Sequence, residues 1–162
     1  MEGPITTVWG PALWAILHIL AERAGQKKTP LAEDEEKRLW RTLLLSLRTS
    51  LPCPKCQKHY SDYLKTHSWA AAFSKKGLEW AEGLQTWLFD LHNHVTAANG
   101  KEVTFTADRL ATTYRDASKG VVTTWKHTLG EHMRRGLVLR VVTREDVLKT
   151  IRFIEEIMLG VY

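Results

Sequence analysis

Two cysteines with two residues between them are the side chains of this sequence best suited to chemistry. Cys53 and Cys56 lie in the stretch "LPCPKCQKH", and the 162-residue chain has no other cysteine. Thiols at this spacing can open and close a disulfide, or supply two of the four ligands of a zinc ion. A second, structural disulfide is impossible, and a lone pair without an export signal favours redox chemistry or metal binding over a scaffold bridge.

The residues around the cysteines favour a redox pair. Pro54 suits the first position of a helix, which makes Cys53 the residue that caps that helix. Cys56 then falls one turn later on the same side, so that the two sulfur atoms can meet. The positive end of the helix and the side chains of Lys55 and Lys58 favour a thiolate, which is the reactive form of cysteine.

Three other interpretations of the pair remain. A zinc site needs about four ligands, but the candidates His92 and His94, two apart on a helix, point in nearly opposite directions. A thioredoxin-like fold places such a pair at a strand-to-helix turn, whereas the flanks here are helical on both sides. A pair without function is the third alternative. The redox interpretation is favoured, although the motif alone identifies no cofactor.

Helical spacing dominates the chain and predicts an all-α protein. The first helix has Trp14 and His18 four residues apart, with Pro11 in its first turn and Gly25 at its end. Its apolar stripe consists of Trp9, Leu13, Leu17 and Leu20. Further helices are predicted over residues 30–48, 53–66, 84–98, 107–117 and 143–159, with caps at Thr29 and Thr143. The sequence thus predicts a bundle of four or five helices.

The chain divides at about residue 117. Residues 1–117 are predicted to form the helical bundle as one domain, and residues 118–162 a small, mostly helical C-terminal extension. Within the extension, residues 137–142 ("LVLRVV") have the composition of a short strand. We expect the extension to dock on the bundle as a small subdomain and to shape the approach to Cys53. A stabilising flap without a recognition role is the alternative.

Composition and charge set wider bounds. Hydrophobic residues make up 44% and charged residues 25% of the chain, as in an ordinary globular protein. The apolar runs are too short to span a membrane, and no secretory leader precedes Trp9, so we expect a cytoplasmic protein. The net charge is +5, and residues 119–152 hold eight Lys or Arg against three Asp or Glu. This region could meet nucleic acid or an acidic protein, but a solvated basic face explains it more simply.

Three segments follow one another in a recognisable order. They are "WGPALWAILHILA" (residues 9–21), "LPCPKC" (residues 51–56) and "WLFDLHNHVTAANGK" (residues 87–101). In order and approximate spacing they resemble the Erv/ALR family of FAD-linked sulfhydryl oxidases, with its W-x3-H first helix, CxxC and L-H-N-x-V helix. The resemblance covers roughly residues 9–117 and is closest to the short forms encoded by large cytoplasmic DNA viruses.

The resemblance implies a helical bundle that holds FAD beside the cysteines. Cys56 is implied as the sulfur next to the flavin, and Cys53 as the outer sulfur that substrates attack. The residues implied in FAD binding are Trp14, His18, Cys56, His92, Asn93, Val95, Thr96, Lys101 and Tyr114. Among them Trp14 and His18 form a wall for the flavin ring, Lys101 balances the pyrophosphate, and Tyr114 replaces a family tryptophan.

The sequence departs from the family pattern at several positions. Pro11 stands where the family has an arginine, Leu51 where it has an aromatic residue, and Thr96 where it has a second asparagine. Residues 97 and 98 are alanines in place of a basic pair, so Arg115 or a cation of the extension is the expected substitute at the pyrophosphate. The shuttle cysteines and structural disulfides of the family are absent.

The implied activity is thiol oxidation. A substrate thiolate attacks Cys53, a second thiol resolves the mixed disulfide, and the electrons pass through FAD to oxygen, giving hydrogen peroxide. Without a shuttle pair the disulfide must be reached directly, by a substrate expected to be a small thioredoxin-like dithiol protein. The resemblance also implies a homodimer through the first two helices, burying the exposed part of the Trp9–Leu20 stripe, in the host cytoplasm or the virion if the protein is viral.

Two functions of other classes are the alternatives. One is a zinc-stabilised binding module built on the cysteine pair. The other is a nucleic-acid-binding protein that uses the basic extension and the seven tryptophans. Tryptophans at helical spacing are more often core residues, so we do not expect a nucleic-acid partner, and the short apolar runs give no reason to expect a membrane.

Overall fold

The computed structural model describes residues 2–162, and most of these residues lie in helices. Its eight helices are α1 (Thr6–Glu22), α2 (Pro30–Ser50), α3 (Pro54–Thr66), α4 (Ala70–Phe73), α5 (Gly77–Ala98), α6 (Arg109–Tyr114), α7 (Lys119–Val138) and α8 (Arg144–Val161). No strand occurs among these described residues, which confirms the all-α class. None of their helices combines the length and the apolarity needed to cross a bilayer.

The first helix begins earlier than its sequence pattern indicates. α1 starts at Thr6, so the prediction that Pro11 lies in the first turn was wrong, and Pro11 is inside the helix. Proline has no N–H and deprives one carbonyl of the preceding turn of its helical partner. That carbonyl belongs to Thr7, which is exposed and can be hydrated. The proline is therefore tolerated where it stands.

The end of α1 is fixed by a close approach of three helices. Gly25 has a φ of 77°, which glycine adopts without strain, and its N–H donates to Glu36 Oε1 of α2 at 2.8 Å. A Cβ added at Gly25 would lie 2.5 Å from the carbonyl oxygen of Gly77, at the start of α5. α1 ends at Glu22, three residues before the helix stop predicted at Gly25, and the turn at Gly25 brings α1, α2 and α5 together.

The predicted caps of α2 and α8 are present. The N–H of Ala32 donates to Thr29 Oγ1 at 3.2 Å, and the N–H of Asp146 donates to Thr143 Oγ1 at 3.1 Å. Pro30 follows Thr29 as the first residue of α2. Each hydroxyl satisfies one of the N–H groups left free at a helix start, which explains why both boundaries could be predicted.

The start of α5 lies well before the predicted residue 84. The N–H of Gly77 donates to Glu33 Oε1 of α2 at 2.7 Å, so a side chain from another helix caps α5. A cap supplied from so far along the chain leaves no local pattern. α5 ends at Ala98, as predicted, while α6 is shorter than the predicted helix over residues 107–117.

The strand predicted over residues 137–142 was wrong. α7 continues to Val138, and the chain then reverses into α8 through a turn in which Arg140 has a φ of 59°. The N–H of Arg140 donates to the Leu137 carbonyl at 3.0 Å and that of Val141 to the Gly136 carbonyl at 3.0 Å. These two bonds form the Schellman motif of a helix end. The apolar composition of residues 137–142 resembles that of a strand, but their backbone hydrogen bonds are those of a helix end.

α7 and α8 form a hairpin that packs against the first two helices. α7 lies on α1 and α8 lies on α2, while α5 packs on another side of α1. The stripe of α1 is also buried within the single chain: Trp9 is 4% exposed, Leu13 6%, Leu17 1% and Leu20 0%. The expectation that part of this stripe is exposed for a second subunit was wrong, because all four side chains are buried within the chain.

The hairpin shares one hydrophobic core with the rest of the chain. Its fully buried residues include Val122, Leu129, Met133 and Ile154. Between α2 and α8 the core is polar at one point, where the Thr150 hydroxyl is hydrogen-bonded to two serine hydroxyls, with Oγ1 at 2.8 Å from Ser46 Oγ and 2.7 Å from Ser50 Oγ. The boundary predicted at residue 117 falls between α6 and α7; a division there into domain and extension stays a prediction.

Candidate active site

The cysteine pair lies at the start of α3. Cys53 is the N-cap, with extended backbone, and the N–H of Cys56 donates to its Sγ at 3.1 Å. Pro54 is the first residue of the helix, as predicted. The two cysteines form a disulfide, and their Cα atoms are 5.2 Å apart. The predicted geometry, a capping cysteine with its partner one turn later, is confirmed.

A cavity of about 730 Å³ opens beside Cys56. Its volume lies within the range of about 300–1,000 Å³ that is usual for small-molecule and cofactor sites. Of the predicted site residues, those in its wall are Trp14, Cys56, His92, Val95, Thr96, Lys101 and Tyr114. Helices α1, α3, α5 and α6 and the loop after α5 all contribute to it. Residues far apart in the chain therefore converge on one side of the disulfide.

Three predicted residues stand outside the wall. His18 is 1% exposed and lies behind the cavity against His92 and Tyr114. Asn93 is half-buried beside His92 but does not line the cavity, and neither does Cys53. The disulfide thus presents one sulfur-bearing residue, Cys56, to the cavity.

Flat rings form one wall of the cavity. The Trp14 and His92 rings are stacked, with centroids 4.2 Å apart and planes 7° apart. Behind them, the His18 ring stacks on that of Tyr114 with centroids at 4.9 Å. Trp14 and His18 lie four residues apart on α1, so they point to the same side of that helix. The arrangement offers a planar, largely apolar surface to a planar ligand.

The two histidines are joined and electrically neutral near neutral pH. His18 Nε2 and His92 Nδ1 are 2.9 Å apart in a hydrogen bond. Burial lowers the pKa of His18 to about 3, with a further contribution from His92, and burial lowers the pKa of His92 to about 4. His18 Nδ1 is buried without a partner. We assign the shared proton to His18 Nε2, since a buried unpaired N–H is rarer than an unpaired acceptor.

The cations at the cavity differ in part from those expected. Lys101 lines the cavity, as predicted, and Lys55 lines it as well. Arg115, expected as a substitute at a pyrophosphate, lies elsewhere and forms an ion pair with Glu22 at 3.4 Å. The substitution by Arg115 therefore stays a prediction, and in this structure its guanidinium is paired with a buried carboxylate of α1.

The structure adds a second group of rings that the sequence analysis missed. Tyr63 of α3 and His67, the residue at the C-terminal cap of α3, are stacked, with centroids 3.9 Å apart and planes 1° apart, and the His94 ring of α5 lies 4.8 Å from the Tyr63 ring. All three line the cavity. Tyr63 lies on the helix that carries Cys56 and His67 directly follows its end, four residues after Tyr63, so the helical face of Cys56 was a signal that could have found them.

Metal binding has no comparable arrangement. Over residues 2–162, no group of three or more His, Cys, Asp or Glu side chains is placed to hold a metal ion. His92 and His94, considered as ligands for zinc, instead enter different ring stacks, with Trp14 and with Tyr63 respectively.

Comparison with known proteins identifies the family. Residues 11–115 match the sequence profile of the Erv1/Alr family, which is well over half of the chain. The chain belongs to the Erv1/Alr family. This confirms the resemblance found on the three motifs. The match to the Erv1/Alr family ends at Arg115, so helices α7 and α8 lie beyond it.

Proteins similar to this Erv1/Alr chain occur in viruses and in a plant. It is 33% identical over 95 residues to "Probable FAD-linked sulfhydryl oxidase R368" of Acanthamoeba polyphaga mimivirus, covering 59% of this chain and 61% of that protein. It is 31% identical over 102 residues to "FAD-linked sulfhydryl oxidase ERV1" of Arabidopsis thaliana, covering 62% and 48%. It is 30% identical over 99 residues to "FAD-linked sulfhydryl oxidase" of African swine fever virus, covering 59% and 71%.

These matches are partial. The chain spans less than two thirds of the mimivirus and Arabidopsis relatives it matches. No solved structure matches it.

Proposed function

We propose that this protein is an FAD-dependent thiol oxidase that forms disulfides in dithiol protein substrates and passes the electrons to oxygen. One observation carries the proposal: a disulfide whose inner residue, Cys56, lies in the wall of a cavity faced by the stacked Trp14 and His92 rings. The names of the three relatives, all FAD-linked sulfhydryl oxidases, support it.

The cavity suits FAD in shape and in charge. Trp14, His92 and Tyr114 would hold the flat isoalloxazine ring, while Val95 and Thr96 would complete the wall. Lys55 and Lys101 are the cations that would balance the pyrophosphate. His18 supports the ring wall from behind through its hydrogen bond to His92. A direct role for Asn93, which lies outside the wall, rests on the family resemblance.

The chain's own chemistry is thiol–disulfide exchange. A substrate thiolate attacks Cys53 Sγ, forming a mixed disulfide and releasing Cys56 as a thiolate; a second substrate thiolate then attacks the substrate sulfur of that disulfide. Oxidised substrate leaves, and both cysteines are reduced. The N–H of Cys56, which donates to Cys53 Sγ, favours the thiolate of Cys53 in this reduced state. Bound FAD would accept the two electrons and pass them to oxygen, which would be reduced to hydrogen peroxide.

The division of labour between the sulfur atoms follows their surroundings. Both cysteines are half-buried, but Cys56 lines the cavity whereas Cys53 does not. Cys53 is therefore the sulfur for substrates, and Cys56 the sulfur for the cofactor. A directly reachable disulfide fits a small partner with its own dithiol, which we expect to be thioredoxin-like.

Other features of the assembly rest on the resemblance. A homodimer would need a surface other than the Trp9–Leu20 stripe, because the side chains of that stripe are buried within the chain. Sedimentation of the full chain tests this: a dimer supports the resemblance, and a monomer contradicts it on this point. The viral relatives favour a place in the host cytoplasm or the virion.

Neither alternative function is supported by a specific observation. The metal hypothesis lacks a ligand cluster among residues 2–162. The nucleic-acid hypothesis would need exposed rings for base stacking. All seven tryptophans, which lie in the described part of the chain, are buried or half-buried.

Oxygen consumption with dithiothreitol tests the proposed function. We expect turnover by the FAD-loaded protein, and a loss of at least about a thousandfold in Cys53→Ser and in Cys56→Ser, because each variant lacks the disulfide. Cys53→Ser should also show a long-wavelength charge-transfer band from the remaining Cys56 thiolate. The band in Cys56→Ser instead would reverse the two sulfur roles, and turnover retained in both variants would refute the proposal.

A further inference from the structure

The turn of the α7–α8 hairpin lies directly on the segment that leads into the disulfide. A Cβ added at Gly136 would lie 3.1 Å from Pro52 Cβ and 3.1 Å from Val142 Cγ2. Pro52 precedes Cys53 in the chain and is itself buried. The close fit at Gly136 thus places the hairpin, which lies beyond the family match, against the redox segment.

One side chain ties these parts together. Gln57, the residue after Cys56, donates from Nε2 to the carbonyl of Leu51 at 2.7 Å and to the carbonyl of Val141 at 3.0 Å. The Thr49 carbonyl lies at 3.4 Å from the same nitrogen. A carboxamide has two N–H donors, and the two short bonds use both. Gln57 therefore joins α3 to the end of α2 and to the hairpin turn.

The carbonyl of Leu51 connects this contact to both cysteines. It accepts from the N–H of Cys53 at 2.8 Å as well as from Gln57 Nε2. The backbone of the outer cysteine and the side chain next to the inner cysteine thus converge on one oxygen atom. Any movement of Cys53 away from the first turn of α3 must break or stretch one of these bonds.

We propose that Gln57 is a positioning residue for the Cys53–Cys56 couple, anchoring it to the α7–α8 turn. This inference rests on the proposed function in that it treats the pair as a working redox couple. When the disulfide is reduced, two electrons and two protons enter and the S–S bond breaks. Gln57 then keeps the two thiols close together, which raises their effective concentration and favours the disulfide.

The test is the equilibrium between the protein disulfide and dithiothreitol. In that exchange the protein S–S bond breaks and the S–S bond of oxidised dithiothreitol forms. Gln57→Glu keeps the size of the side chain but removes both donors. We expect the equilibrium to move about tenfold toward the protein dithiol, which corresponds to a reduction potential about 30 mV higher. Gln57→Met, of similar length and without charge, should shift it in the same direction.

A matched substitution controls for the loss of an ordinary glutamine. Gln85 Nε2 of α5 donates to the Ala21 carbonyl at 2.9 Å, away from the cysteines. Gln85→Glu should leave the equilibrium constant within about twofold of that of the unchanged protein. Equal values for the folded Gln57 variants and the unchanged protein would overturn the inference, as would an equal shift in Gln85→Glu.

The readout separates this inference from the proposed function. Acid quenching, thiol alkylation and mass spectrometry of anaerobic, dithiothreitol-equilibrated protein give the fraction of dithiol without any turnover. If the unchanged protein consumes no oxygen but the Gln57 variants still shift the dithiol equilibrium, the oxidase proposal is refuted and the positioning role is upheld. Normal oxygen consumption with no shift would refute the positioning role alone.

Discussion

Helices α1–α6 and the hairpin α7–α8 approach the Cys53–Cys56 disulfide from different directions and contribute different things to it. From α1–α6 come the side chains of the cavity, with the stacked Trp14 and His92 rings and the inner cysteine itself. From the hairpin come backbone and close packing, through the Val141 carbonyl and Gly136. The side chains proposed to react lie in the first region, whereas the second region packs against the segment that leads into the disulfide.

The match to the Erv1/Alr family ends at the boundary between these two regions. It covers the helices that build the cavity and ends at Arg115, before the hairpin begins. The hairpin nevertheless fills the faces of α1 and α2 with fully buried residues such as Leu129 and Ile154. Membership of the family therefore accounts for the site, whereas the stability of the helices that carry it depends on a part of the chain that the match does not reach.

The largest effect is expected from removing the hairpin. Truncation after Ala117 would expose the covered faces of α1 and α2, and each large side chain removed from a core costs about 2–5 kcal/mol. The sum exceeds the roughly 5–15 kcal/mol that stabilises a typical domain. We expect the truncated chain to be insoluble or to lack cooperative thermal unfolding in circular dichroism.

The comparison fails if the truncated chain folds well. A soluble product with native helix content and unchanged thermal midpoint, as a monomer or as a dimer, would show that the hairpin is an appendage. Residues 1–117 would then fold as a domain without the extension, as the predicted division implies.

Acid should weaken the cavity region through its buried histidines. Burial lowers the pKa of His18 to about 3 and that of His92 to about 4, from an ordinary value of 6.5. The unfolded chain therefore binds more protons than the folded chain below pH 6.5, and the free energy of unfolding falls as the pH falls through the window from 6.5 to about 4. We expect a loss of up to about 5 kcal/mol across it, measured by urea unfolding.

Two substitutions sharpen the acid prediction. His18→Gln removes one of the titrating rings and should flatten the pH dependence between pH 6.5 and 4, while the exposed His127 of α7, changed to Asn, serves as the control. Carboxylates that titrate in the same range are common to all three proteins and cancel in the comparison. Equal slopes for His18→Gln and the unchanged protein would contradict the link to the buried pair.

The smallest effect concerns the hairpin turn. Arg140 has a φ of 59°, a conformation that costs a residue with a side chain more than it costs glycine. Arg140→Gly should raise the free energy of unfolding by about 0.5–1 kcal/mol, or the thermal midpoint by roughly 1–4 °C. Arg140→Ala removes the same charge without relieving the backbone, so a gain of equal size in Arg140→Ala would contradict the backbone explanation.

Local patterns predicted the parts of this molecule that local bonds hold together. The caps at Thr29, Cys53 and Thr143 each bind an N–H within the next three residues, and each was predicted from sequence. Trp14 and His18 were predicted as one face because four residues separate them on a helix. The composition of the cavity wall from these residues followed from the family motifs.

Contacts between distant residues could not be predicted in the same way. α5 begins early because Glu33 caps it from α2, and the strand expected over residues 137–142 is replaced by the end of α7 and a turn. The apolar stripe of α1 indicated a buried face but not what buries it. Gln57 resembles any polar helix residue in the sequence; its role emerges only where the hairpin turn reaches it.

Anaerobic reduction of bound FAD by dithiothreitol tests the central claim most directly, because it asks whether Cys56 connects a cofactor in the cavity to a dithiol. The account predicts that the purified protein binds FAD non-covalently and absorbs in the visible region. It further predicts that the dithiol bleaches this absorbance in the unchanged protein but not in Cys56→Ser, which keeps its FAD. Folded protein that takes up no FAD, or bleaching that proceeds equally in Cys56→Ser, would contradict it.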